Sequence, residues 1–140
     1  MSLSLPLGND TSALAGAVLK VYESGDLDRV EELISPELVD HNQPAGTESG
    51  IDAVRVLVRS VKEGFSGTRI EEIFQGTTAE GWAVSQWRMT AVHTGDWFGV
   101  PATGREVSFT GIDLWRAENG RMVEVRHAED LLQLQMQLTG

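Results

Sequence analysis

The 140-residue sequence predicts one α+β domain, in which a cone-shaped, curved and mostly antiparallel sheet wraps around three N-terminal helices. Three observations lead there. Up to Phe65 the apolar residues recur with the 3.6-residue period of amphipathic helices, and from Thr68 onward they alternate with period 2, as half-buried strands do. The period-2 runs are long and separated by glycine-rich turns, which makes them neighbours in an antiparallel sheet. A sheet that follows three helices must curl around them to bury its apolar face, and a curled sheet forms a cone.

After a flexible leader at residues 1–10, Asp10, Thr11 or Ser12 caps a helix carrying Leu14, Val18, Val21 and Tyr22 on one stripe, and Gly25 ends it. Asp26 caps a second, short helix that buries Leu27, Val30, Leu33 and Ile34 and stops at Ser35-Pro36. The polar stretch ELVDHNQPAGTESG reads as one brief strand and a loop. A third helix follows, with Val54, Leu57, Val58, Val61 and Phe65 on its buried stripe and Asp52 near its positive end. The strands are RIEEIFQG, WAVSQWRMTAVH, REVSFTGIDLWR and RMVEVRHA, while the tail LLQLQMQLTG suits either a last strand or a short terminal helix. Large apolar residues occupy both faces of the long strands, with Ile112 and Leu114 opposite in sense to Phe109 and Trp115. A second copy of the chain, in a homodimer, is the expected cover for the outer face.

Composition narrows the function. A hydrophobic content of 41% gives 140 residues enough interior for one domain, 1–140, without staples. No cysteine is present, so disulfides and thiolate metal sites are excluded. The formal charge of −10, with two lysines, argues against nucleic acid, whose affinity rests on cationic contacts to phosphates. The start MSLSLPLGND lacks a basic n-region, and no run of eighteen apolar residues occurs, so a soluble cytoplasmic protein with no membrane partner is expected.

The last hairpin, FTGIDLWRAENGRMVEVRHAED, decides whether Asp113 and His127 meet. A two-residue Asn119-Gly120 loop places Asp113 opposite Arg126 and sends His127 to the other face. A three-residue loop of Glu118, Asn119 and Gly120 places Asp113 opposite Val125 and diagonal to His127. The second register gathers Val107, Phe109, Gly111, Asp113, Trp115, Val123, Val125 and His127 on one face, and sets Met122 with Arg116, Glu124 and Arg126 on the other. That segregation is the cleaner, so an acid and a base are expected to share an apolar wall.

These stretches resemble the SnoaL-like polyketide cyclases, a branch of the nuclear-transport-factor-two-like superfamily of cone-shaped α+β proteins. The likeness runs from about Leu14 to Leu138. It is carried by YESGDLDRVEELISPELVDHN, HTGDWFGVPATGREVSFTGIDLWR and NGRMVEVRHAEDLLQLQMQL, and most specifically by His93, Gly95, Phe98, Gly99, Pro101, Thr103, Gly104 and Gly111 in order. The resemblance implies a pocket for a flat polyketide ester and a cofactor-free intramolecular aldol ring closure run by acid/base residues. The wider superfamily houses isomerases, epoxide hydrolases, hydroxylase components and plain binding modules, so a rival enzyme or a non-catalytic binder of a hydrophobic or aromatic small molecule stays open. Two departures stand out. Where family cyclases carry a carboxylate this chain has His127, and where some carry a histidine it has Asp113, so the two roles are exchanged. The usual Phe-Pro-Asp after the third helix is replaced by Phe65, Ser66 and Gly67.

In an aldol closure one group removes a proton beside a carbonyl and supplies one to the new alkoxide. His127, with an unperturbed pKa of about 6.5, is the expected proton shuttle, and Asp113 the partner that orients it. The alternative is a structural ion pair tying two strands. Asp40, His41 and Asn42 enter the irregular loop, where substrate contact for His41 or Asn42 and a capping or turn role for Asp40 and Asn42 are both open. His93 either hydrogen-bonds substrate or is a core histidine holding the 94–104 loop. Trp87, Met89, Phe109 and Trp115 line a pocket for a planar ligand or serve simply as core. The histidines lack the close spacing of metal motifs, and no glycine-rich phosphate loop follows a strand, so no metal and no cofactor are expected.

Overall fold

The computed structural model describes residues 10–139, so the leader expected at 1–10 lies outside them except for Asp10. Helix α1 spans Thr11–Ser24. It opens where the Asp10 carboxylate accepts the Ala13 N–H at 3.1 Å, and it closes at Gly25, whose φ of 72° is the left-handed conformation that glycine adopts without cost. Helix α2, Asp28–Leu33, gives way to strand β1, Ile34–Asp40, so Ile34 belongs to the strand and not, as the periodicity suggested, to the helix. Helix α3, Gly50–Gly64, is capped by Ser49 and buries Ile51, Val54, Val58 and Val61 at helical spacing.

Strands β2 (Phe65–Thr77), β3 (Ala83–His93), β4 (Glu106–Glu118) and β5 (Arg121–Glu129) complete one five-stranded sheet in the order β1-β5-β4-β3-β2. All neighbours are antiparallel except β1 and β5, which run parallel, so the sheet is mixed and stays open. In β3 the alternation is complete, with Ala83, Ser85, Trp87, Met89, Ala91 and His93 all buried. Breaks of register in β2, at Ser66/Arg69 and Glu72/Phe74, give the bends that curl the sheet over the helices.

The tail forms helix α4, Leu131–Thr139, with Leu134 and Leu138 buried one turn apart. Its glutamines explain why it docks as a helix. Gln137 donates from Nε2 to the Ser108 carbonyl and accepts the Ser108 N–H, both at 2.7 Å. The side-chain amide thus satisfies β4 beyond the point where β5 ends.

The β4–β5 hairpin differs from expectation in an instructive way. Its loop is the two-residue Asn119-Gly120, both with positive φ (53° and 78°), and Glu118 pairs with Arg121. The extra residue enters two positions later. Ala117 pairs with Met122 but Arg116 with Glu124, so Val123 is the bulge. This displacement puts Asp113 directly opposite His127, and it turns Met122 inward, where it is completely buried, although the simple alternation placed it outside. Among the described residues no helix is long and apolar enough to cross a membrane.

Candidate active site

Between the concave face of the sheet and the helices lies a cavity of about 530 Å³. Tyr22 and Leu19 of α1, Val54, Leu57 and Val61 of α3, and Trp87, Met89, Phe109, Trp115 and Val125 of the sheet form apolar walls. Trp97, Phe98 and Val100 from the 94–104 loop and Leu131, Leu134 and Leu138 from α4 complete the enclosure. Four groups that bear charge reach this lining: Asp40, Asp113, His127 and Glu129.

His127 is gripped on both ring nitrogens. Nδ1 lies 2.7 Å from Glu129 Oε2, and Nε2 lies 2.9 and 3.1 Å from the two Asp40 oxygens. With a carboxylate on each nitrogen, both nitrogens carry hydrogen and the ring is an imidazolium. Burial alone would favour the neutral ring, but the hydrogen bonds to Asp40 and Glu129 and their negative charge outweigh it and push the His127 pKa up to about 10. The clamp comes from the chain entering the loop after β1. Asp40 Oδ1 also accepts the Asn42 N–H at 2.8 Å, Asn42 Oδ1 accepts the His127 backbone N–H at 2.8 Å, and the His41 N–H bonds the Val125 carbonyl. Three consecutive residues therefore continue the parallel pairing of β1 with β5 around His127.

Asp113 is held differently. No hydrogen bond joins it to His127 among the described residues, so the orienting role expected of Asp113 belongs to Asp40 and Glu129. Its Oδ2 accepts the indole N–H of Trp87 at 3.1 Å. Burial, and then the negative charge of Glu129, raise its pKa to about 7, against the opposing pull of the Trp87 N–H, the His127 charge and Trp115. Gly111 makes the Trp87 contact possible. It pairs with Trp87 across β3 and β4, and a Cβ there would sit 2.2 Å from the indole Cζ2. Gly111→Ala is expected to destabilise the protein by about 1–3 kcal/mol through overpacking, and to quench or shift the Trp87 fluorescence as the indole leaves Asp113. Denaturant titration with emission spectra checks both.

The sequence-predicted residues divide into two sets. Asp113, His127, Trp87, Met89, Phe109 and Trp115 all face the cavity. His41, Asn42 and His93 do not line it. His41 Nε2 meets Glu124 Oε2 at 2.6 Å near the surface, and Asn42 is spent on the His127 backbone. His93 is fully buried against Phe65, with ring centroids 5.5 Å apart, and its Nδ1 accepts the Thr103 N–H at 3.2 Å, so it holds the 94–104 loop. Sequence reasoning gave Asp40 a capping or turn role, which its bond to the Asn42 N–H fits, but not its contact with His127, and it missed Glu129 and Tyr22. Glu129 repeats the inward sense of His127 two residues on. Among the described residues no group of three or more His, Cys, Asp and Glu side chains is arranged to hold a metal ion.

Known proteins share this architecture. TsrD from Streptomyces laurentii is 25% identical, with 91% of this chain and 92% of that one aligned at a TM-score of 0.80. IdmH from Streptomyces antibioticus, described as a candidate polyketide cyclase, is 23% identical over 93% of this chain and 99% of its own, with a TM-score of 0.77. AclR from Streptomyces galilaeus, described as a candidate hydroxylase, is 22% identical over 92% and 95% of the two chains, also at 0.77. None of the curated proteins matches the sequence significantly. The family pattern of SnoaL-like polyketide cyclases matches residues 12–138, from the first turn of α1 to the last of α4, and the chain belongs to that family.

Proposed function

We propose that this protein closes a ring in an aromatic polyketide ester by a cofactor-free intramolecular aldol reaction, with Asp113 moving the proton. One contrast in the cavity carries this reading: both nitrogens of His127 are occupied by carboxylates, whereas Asp113 is met by neutral indole groups. A carboxylate has about four lone-pair sites, so indole donors leave room for an incoming proton. Asp113 therefore takes the shuttle role that the sequence suggested for His127. It removes a proton from the carbon beside a carbonyl, the freed electron pair forms the new C–C bond to a second carbonyl carbon, and the resulting alkoxide takes the proton back from Asp113. His127 acts as a fixed positive charge that keeps the Asp113 pKa from rising further. The apolar walls hold the flat reactant and exclude water.

Incubation with an aromatic polyketide methyl ester bearing a pendant carbonyl tests this reading, followed by chromatography and mass analysis. The expected product is an isomer of equal mass with one more ring. A product heavier by one oxygen would assign hydroxylation, one heavier by a water would assign hydration or epoxide opening, and binding without product would assign a carrier.

A second copy of the chain is proposed to cover the outer sheet face. Phe74, Gln86, Ile112 and Ala128 form one row across β2, β3, β4 and β5, and Phe74 and Ile112 are 60% and 45% exposed. Sedimentation velocity is expected to show a dimer that Ile112→Arg converts to monomer; a monomeric wild-type protein would contradict it.

A further inference from the structure

We infer that Tyr22 is a further catalytic residue, its hydroxyl donating a hydrogen bond to the oxygen of the carbonyl whose neighbouring carbon loses the proton. This rests on the acid/base reading of Asp113 and adds the group that receives the charge displaced in that step. An acid/base residue alone leaves the developing enolate oxygen unsupported in an apolar cavity, where unpaired charge is costly.

Tyr22 is the candidate by position. It lies in the last turn of α1, one turn before the Gly25 cap, and its ring packs against both buried clusters, which fixes its direction. Its side chain lines the same cavity as Asp113. Among the described residues the hydroxyl has no hydrogen-bond partner, although the side chains of Trp87, His127, Asp40 and Glu129 in the same wall all do. Tyr22 is partly buried, and a phenol that faces an apolar cavity normally finds a partner there. The groups around it also keep it a donor: burial, and then the charges of Asp113, Glu129 and Asp40, hold its pKa above the ordinary tyrosine range, so the proton stays on oxygen at neutral pH. His127 cannot serve instead, because its two N–H groups are already given to carboxylates. The oxygen that Tyr22 meets is thus a neutral carbonyl in the bound state and an enolate in the transition state, and the hydrogen bond strengthens as charge develops.

The chemistry is testable without the natural substrate, using 1-tetralone, a flat aromatic ketone with exchangeable hydrogens beside its carbonyl. Asp113 takes one of those hydrogens, the C–H pair becomes the enolate C=C while the carbonyl π pair moves to oxygen, and deuterium from D₂O returns to carbon by way of Asp113. Wild-type protein is expected to speed this exchange, as followed by NMR, and Tyr22→Phe to slow it on the order of 10²-fold. The infrared C=O stretch of bound 1-tetralone should lie at lower frequency in wild type than in Tyr22→Phe. Exchange and stretch both unchanged in Tyr22→Phe would overturn the inference while leaving Asp113 untouched. Wild-type exchange in Asp113→Asn would instead overturn the acid/base reading, and the stretch would still report on Tyr22. Failure of wild-type protein to speed exchange at all would count against both. Tyr22→Phe keeps the ring, and its urea midpoint shows that the fold persists.

Discussion

Asp113→Asn is expected to lower turnover by about 10²–10⁴-fold, the range that one acid/base residue contributes. The amide keeps the size of the side chain and an oxygen that can still accept the Trp87 indole N–H, so the fold and the substrate KM should change little. The loss therefore isolates proton transfer. Because the base must be ionised to begin the reaction, kcat/KM of the wild-type protein should rise with pH through about 7 and then level, following the raised Asp113 pKa. An ordinary carboxylate would place that rise near pH 4. Initial rates across pH, with Asp113→Asn as the blank, measure both effects.

His127→Asn is expected to cost about 3–5 kcal/mol of stability near neutral pH, because it leaves two carboxylates without the cation between them. The side chains of Asp40 and His127 are 2% and 12% exposed, so water cannot replace the lost charge. The sign of the pH dependence follows from the raised pKa. In the unfolded chain His127 takes its proton at about 6.5, and in the folded protein at about 10, so its stabilising contribution is complete below pH 6.5 and disappears as pH rises through 10. Asp113 adds a slope of the same sign at lower pH, since the folded protein keeps its proton to about 7 and the unfolded chain releases it near 3.8. Each group contributes at most about 1.4 kcal/mol per pH unit. The gap between wild type and His127→Asn in urea titrations should be full below pH 6.5 and should close as pH rises through about 10. Replacing Asp40 as well, in Asp40→Asn/His127→Asn, should recover part of the loss, because the two residues share one ion pair.

The two periodicities made the layers legible, since amphipathic stripes and alternating strands are local properties of the chain. The wall of Trp87, Met89, Phe109, Asp113, Trp115 and His127 followed from the same alternation. The hairpin register did not. Asn119-Gly120 signals its own turn, but nothing local marks Val123 as the residue that leaves the ladder; the choice depends on Met122 gaining a completely buried place in the core. The partners of His127 were hidden for a related reason. Asp40 lies 87 residues away along the chain and meets His127 through the parallel β1–β5 pairing, which no turn encodes. Glu129 shares the inward alternation of His127, but two residues on the same strand face give no local sign that the carboxylate of one closes on the ring nitrogen of the other. His93 sits on the inward face by parity, yet the strand carries it past the cavity to the base of the 94–104 loop.

Everything chemical here depends on which of two facing side chains carries charge at neutral pH. An NMR titration of protein labelled with ¹³C at the aspartate carboxyls and ¹⁵N at the histidine rings reads both at once. The Asp113 carboxyl should titrate near pH 7, and the His127 ring nitrogens should keep the imidazolium signature past pH 8. An Asp113 carboxyl already ionised at pH 5, with His127 losing its proton near 6.5, would contradict the assignment of roles.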